Sequence, residues 1–160
     1  MIEEPRVVVG VNDTLSSLAA LHRAVDEARA RGAQLVPVAA WSGGTELRPV
    51  SELEYAAHER LATAFDQAFG GLPGDLTVLP LVVRDLPGPA LTRIADRPGD
   101  LLVLGCGHRG RREPARQSST VRHCLTHATC ALLVVDETEL LESLEAAVGL
   151  APARVVITAR

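Results

Sequence analysis

Five short apolar runs, each separated from the next by a longer stretch with helical character, constrain this chain more than any other feature. They are Arg6–Val11 (RVVVGV), Gln34–Ala40, Thr77–Val83, Asp100–Gly105 (DLLVLG) and Ala131–Val135 (ALLVV). They lack the apolar–polar alternation of a half-exposed strand, so both faces of each strand need cover. Between them, Ser16–Arg31 carries Leu18, Leu21, Val25 and Ala28 on one helical face and stops at Gly32. Ser51 and Glu54 have capping-box spacing and open a helix predicted to run to Phe69. Pro87–Ala95 and Ser118–His127 are two shorter helices. Strand–helix alternation of this kind predicts an α/β fold: a single open five-stranded parallel sheet with helices on both faces. Pro37 sits awkwardly inside the second run, because proline removes a ladder donor.

The chain has 160 residues, the size of one ordinary domain. No run of apolar residues is long enough to span a bilayer, so no membrane association is expected. The acidic start, Met-Ile-Glu-Glu-Pro-Arg, leads into no signal-peptide core, which makes the cytoplasm the expected location. A net charge of −4 argues against a nucleic-acid partner. All 16 basic residues are arginine, which excludes a Walker A lysine, a Schiff-base lysine and a lysine general base. Cys106, Cys124 and Cys130 are too few for a disulfide framework.

In open parallel sheets, ligands bind beyond the carboxyl ends of the strands, where strand order reverses. Two loops have suitable composition: Gly10–Thr14 after the first strand and Gly105–Gln117 after the fourth. The second feeds a helix at Ser118, whose free N–H groups and dipole attract anions. Ser119 and Thr120 add hydroxyl donors, and Arg109, Arg111, Arg112 and Arg116 add permanent cations against the single acid Glu113. A solvated turn followed by a capped helix would have the same residue types.

Over residues 6 to 135 the sequence resembles the universal stress protein family. The resemblance is carried by RVVVGVNDT with the helix after it, and by LLVLGCGHRG…SSTVRHCLTHATCALLVV. It implies strand order 3-2-1-4-5 and the family's glycine pattern G-x2-G-x9-G-(S/T) after the fourth strand. Here the pattern falls on Gly105, His108 and Ser118-Ser119, so two of its three glycines are replaced. Gly107 and Gly110 flank the altered position, and the family's aspartate after the first strand falls on Asn12, with Asp13 beside it.

By that resemblance the expected role is a regulatory module binding ATP or another adenine nucleotide, with Mg admitted as companion ion. Gly10, Asn12 and Asp13 would face the nucleoside. Gly105, Gly107, Arg109, Gly110, Ser118, Ser119 and Thr120 would face phosphates. The alternative is a family member that binds no nucleotide and works as a dimeric protein-interaction module. A slow ATPase ranks third, since no residue is an evident general base and no catalytic residue is assigned. The resemblance also implies a homodimer through the fifth strand, Ala131 to Val135, and a regulatory protein partner of unknown identity.

Residues 1–136 thus form the domain, and 137–160 an extension. Glu139–Val148 is predicted helical, with Leu140, Leu141, Leu144 and Val148 as a stripe to be buried. Arg154–Thr158 has strong strand propensity and is expected at a sheet edge. His123, His127 and Cys130 have helical spacing that could suit zinc, but a fourth ligand is lacking and Cys130 falls at the entry to a strand.

Overall fold

The computed structural model describes residues 3–44, 47–107, 118–147 and 156–158. In chain order these form β1 (Arg6–Gly10), α1 (Leu15–Arg31), β2 (Gln34–Trp41), α2 (Val50–Phe69), β3 (Leu81–Arg84) and α3 (Pro87–Ile94). They continue with β4 (Leu101–Gly105), α4 (Ser119–His127), β5 (Ala131–Val135), α5 (Glu137–Ala147) and β6 (Val156–Thr158). The first five strands are parallel in the order 3-2-1-4-5, and β6 adds antiparallel to β5.

Burial explains the unbroken apolar runs. Val7, Val8 and Val9 of β1 are all fully buried, because the sheet is covered on both sides. Val7 and Val9 pack with Leu21, Val25, Leu61 and Phe65 under α1 and α2. Val8 packs on the opposite face with Leu91, Leu102, Val121 and Cys124 under α3 and α4.

The third strand is shorter than the Thr77–Val83 run, and Pro37 accounts for the difference. Leu35 donates its N–H to Thr77 and accepts from Leu79, so every second residue of β2 faces that edge. Pro37 has the same parity and no N–H to offer. The ladder lapses there, leaving a lone bridge at Leu35–Val78 before β3 begins at Leu81.

The capping-box reading of Ser51 also gives way. Helix α2 starts one residue earlier, at Val50, with Pro49 in the cap position, so Ser51 lies inside the helix. The Leu53 N–H already bonds the Pro49 carbonyl, and the cap makes no side-chain hydrogen bond.

Helix α5 of the extension lies on the domain, though only one residue of the expected stripe packs there. Leu141 and Leu144 are exposed, whereas Leu140 packs against the core and Glu139 is buried. Arg23 of α1 reaches Glu139 with its Nη1 at 3.0 Å, so a polar tie stands beside the single apolar contact of Leu140. Val148 and Arg154 lie outside the described residues.

Beyond α5, β6 pairs Leu132 with Thr158, Leu133 with Ile157 and Val134 with Val156. The β5 edge proposed for a homodimer is therefore occupied by the chain's own last strand. An apolar edge can be satisfied from within the chain as well as by a second copy.

At the amino end of the sheet, the Arg6 guanidinium grips Asp100 through Nε–Oδ1 at 3.1 Å and Nη2–Oδ2 at 2.6 Å. Asp100 is buried, accepts the Arg97 N–H as well, and locks β1 to β4. This leaves the opposite, carboxyl end of the sheet to carry chemistry.

Candidate functional site

The carboxyl ends of β1 and β4 open on a cavity of about 300 Å³. Gly10, Asn12, Gly105, Gly107, Ser118, Ser119 and Thr120 all line it. Val38, Ala40, Pro87, Leu91 and Leu104 form an apolar side, opposite the polar start of α4. One apolar wall and one convergent set of donors, at the lower end of ligand-cavity volumes, is the composition of a small-molecule site.

The polar wall is built by helix capping. Ser118 caps α4, its Oγ accepting the Val121 N–H at 3.1 Å. Ser119 and Thr120 occupy the first turn, where backbone N–H groups have no carbonyl a turn behind them. Those donors, the helix dipole and the hydroxyls suit a phosphate or carboxylate.

The glycines have a second occupation. A Cβ on Gly105 would lie 2.5 Å from the Ser16 carbonyl carbon, so only glycine lets α1 approach β4 this closely. Gly107 adopts φ +78, and its N–H donates to the Ser16 Oγ at 3.0 Å. A Cβ on Gly10 would meet Leu91 and Leu104 side chains at 3.0 and 3.2 Å. The Gly107 N–H expected to meet phosphate is thus engaged by a serine.

The loop after β1 is also organised by capping. The Asn12 Oδ1 accepts from the Thr14 N–H at 2.9 Å and the Thr14 Oγ1 at 2.7 Å. Thr14 in turn caps α1 by accepting the Ser17 N–H. The Asn12 amide nitrogen is left as the group able to donate toward a ligand. Asp13 does not line the cavity; it lines an adjoining groove of about 590 Å³ between α1 and α2. Arg109 and Gly110 lie outside the described residues, as do His108, Arg111, Arg112 and Arg116.

Sequence reasoning missed Arg60. It lies in the middle of α2, is half-buried, and lines both the cavity and the groove. It makes no ion pair or hydrogen bond among the described residues. Nothing in its local sequence signals this, because its reach depends on how α2 stands beside β2.

The metal reading of His123, His127 and Cys130 does not assemble. The two imidazoles stack at 4.2 Å, while Cys130 is buried at the entry to β5. Among the described residues no three His, Cys, Asp or Glu side chains are grouped to hold a metal ion. With Asn12 uncharged and Asp13 facing the groove, the described residues supply Mg with no carboxylate anchor at the cavity.

Residues 5–136 match the model of the Universal stress protein family. No curated protein matches the chain. Among solved structures, a universal stress protein in complex with cAMP is 25% identical, with TM-score 0.61, covering 82% of this chain and 96% of that one. Universal stress protein UspA from Lactobacillus plantarum is 20% identical, with TM-score 0.59, over 84% and 99%. The Archaeoglobus fulgidus protein in complex with dAMP is 21% identical, with TM-score 0.60, over 84% and 99%.

Proposed function

The chain belongs to the universal stress protein family, and on that premise we propose that it is a regulatory module taking an adenine nucleotide in the cavity beyond β1 and β4. One observation carries the reading: an apolar wall from β2, α3 and β4 faces the uncapped N–H groups of Ser119 and Thr120 across about 300 Å³. A base suits the first wall and a phosphate the second. The solved relatives in complex with cAMP and dAMP support adenine over other bases.

In this reading Gly10 and Asn12 meet the nucleoside, with the Asn12 amide nitrogen donating. Ser118, Ser119 and Thr120 meet phosphate, and Arg109 and Gly110, outside the described residues, are assigned to phosphate by the family resemblance alone. Bound magnesium would come with the phosphates. The module signals by occupancy to a regulatory protein partner, in the cytoplasm, and turns over no substrate. A homodimer belongs to the reading only in a form that leaves β6 on β5.

A second reading, an interaction module that binds no nucleotide, is favoured by the engagement of Gly105 and Gly107 with Ser16. Both glycines are accounted for by packing alone. Calorimetry with ATP, AMP and cyclic AMP separates the two readings. Saturable heat with any of them supports the nucleotide module. If only the double variant His108→Gly with Ser118→Gly binds, the interaction module holds.

A further inference from the structure

The cavity and the α1–α2 groove share Asn12, Thr14 and Arg60, so they adjoin at these residues. Arg60 stands at this neck as a half-buried arginine without a hydrogen-bond or ion-pair partner among the described residues. A half-buried cation left without a counter-charge is poised for an anion. Beyond the neck the balance turns acidic: Asp13, Glu52 and Glu59 line the groove against one further cation, Arg48, with Tyr55 and Leu18 offering ring and aliphatic surface. Those carboxylates repel further phosphate and accept hydrogen bonds from hydroxyl groups. At about 590 Å³ the groove exceeds the cavity itself.

We infer that the site is bipartite and that its ligand is a nucleoside diphosphate esterified to a second, hydroxyl-rich group. The nucleoside lies in the cavity, the diphosphate crosses the neck between the start of α4 and Arg60, and the second sugar occupies the groove. This rests on the nucleotide reading above and sharpens it, because a triphosphate would push its terminal charge into a groove where three carboxylates outnumber the one arginine beyond the neck, Arg48.

Titration of the full-length protein with ADP and with ADP-ribose tests it, alongside Arg60→Gln and Ala56→Trp, the latter placed in the groove. ADP-ribose should bind about tenfold tighter than ADP, a modest return on a second buried group. Ala56→Trp should abolish that advantage and leave ADP unchanged. Arg60→Gln should weaken both ligands. Equal affinity of the native protein for the two ligands overturns the inference while leaving the nucleotide reading intact. So does an Ala56→Trp effect equal on both ligands, or an Arg60→Gln effect on neither. Binding of neither ligand at millimolar concentration fails the nucleotide reading itself.

Discussion

The Gly107 N–H donates to the Ser16 Oγ at 3.0 Å across 91 residues of sequence, tying the loop after β4 to the first turn of α1. The same serine backs onto Gly105, where a Cβ would lie 2.5 Å from its carbonyl carbon. The two switch-point loops are therefore one structure, joined through a buried hydroxyl.

Gly105→Ala should destabilise the fold by about 3 kcal/mol or more, because the obstacle is helix backbone that cannot step aside. Ser16→Ala should cost about 1–2 kcal/mol through the orphaned Gly107 donor. Urea melts of both variants check the order; a Gly105→Ala cost below that of Ser16→Ala contradicts it.

Ser118 should behave as a helix cap in addition to any ligand contact. Ser118→Ala removes the acceptor for the Val121 N–H and should cost about 1 kcal/mol, whereas Ser118→Gly should cost only a few tenths. Thermal denaturation of the two variants reads this directly, with no nucleotide present.

Burial pushes the Cys124 thiol up to about 11, with neighbouring Cys130 adding to the shift. The unfolded chain releases this proton near the ordinary value of 9.0, below the folded value. Stability from this group is thus complete below pH 9 and lost as pH rises toward 11. Cys124→Ala should flatten that alkaline loss in a series of melts. In the native protein at pH 8, thiol reagents should reach half-exposed Cys106 long before buried Cys124.

Glu139 is raised above the ordinary carboxyl range, mainly by burial, with Arg23 pulling the other way. The folded state therefore holds its proton more tightly than the unfolded chain. The α5 docking should weaken as pH rises from 4.5 through the folded value, the reverse of a simple salt bridge. Glu27, which also contacts Arg23, is lowered by its arginine partners despite burial and titrates with the opposite sign. The comparison is therefore with Glu139→Gln: native α5 amides should lose protection relative to the variant between pH 4.5 and 7. Equal profiles would contradict the assignment.

Removing residues 148–160 takes away β6 and uncovers the edge of β5. The shortened protein should self-associate, since an open apolar edge templates strand pairing. Light scattering at micromolar concentration should show a larger mass than for the full chain.

The layers of this fold are legible where burial is symmetrical. RVVVG, LLVLG and ALLVV are strands with both faces covered, and sequence alone marks them. What escapes is whatever depends on a neighbour. The start of β3 is decided by a missing N–H on another strand, at Pro37, and the start of α2 by Pro49 rather than Ser51. Leu141 and Leu144 look like a core stripe until Glu139 finds Arg23 and turns the helix. At the candidate site, the motif singles out Gly10, Asn12, Gly105, Gly107 and Ser118 to Thr120, and these residues line one cavity. Arg60 is invisible in sequence because a mid-helix arginine looks the same whether it faces solvent or a cavity.

The antiparallel pairing of β6 also makes the contest for the β5 edge unimolecular. Only the eight residues 148–155 separate β6 from α5. A strand joined to the domain by so few residues competes at an effective concentration on the order of millimolar. A second copy of the chain, present at micromolar concentration, would arrive about a thousandfold too dilute to displace it. Self-association through this edge should therefore respond weakly to how much protein is made. It should respond strongly to anything that detaches three terminal residue pairs, such as proteolysis of the tail or its capture by another protein.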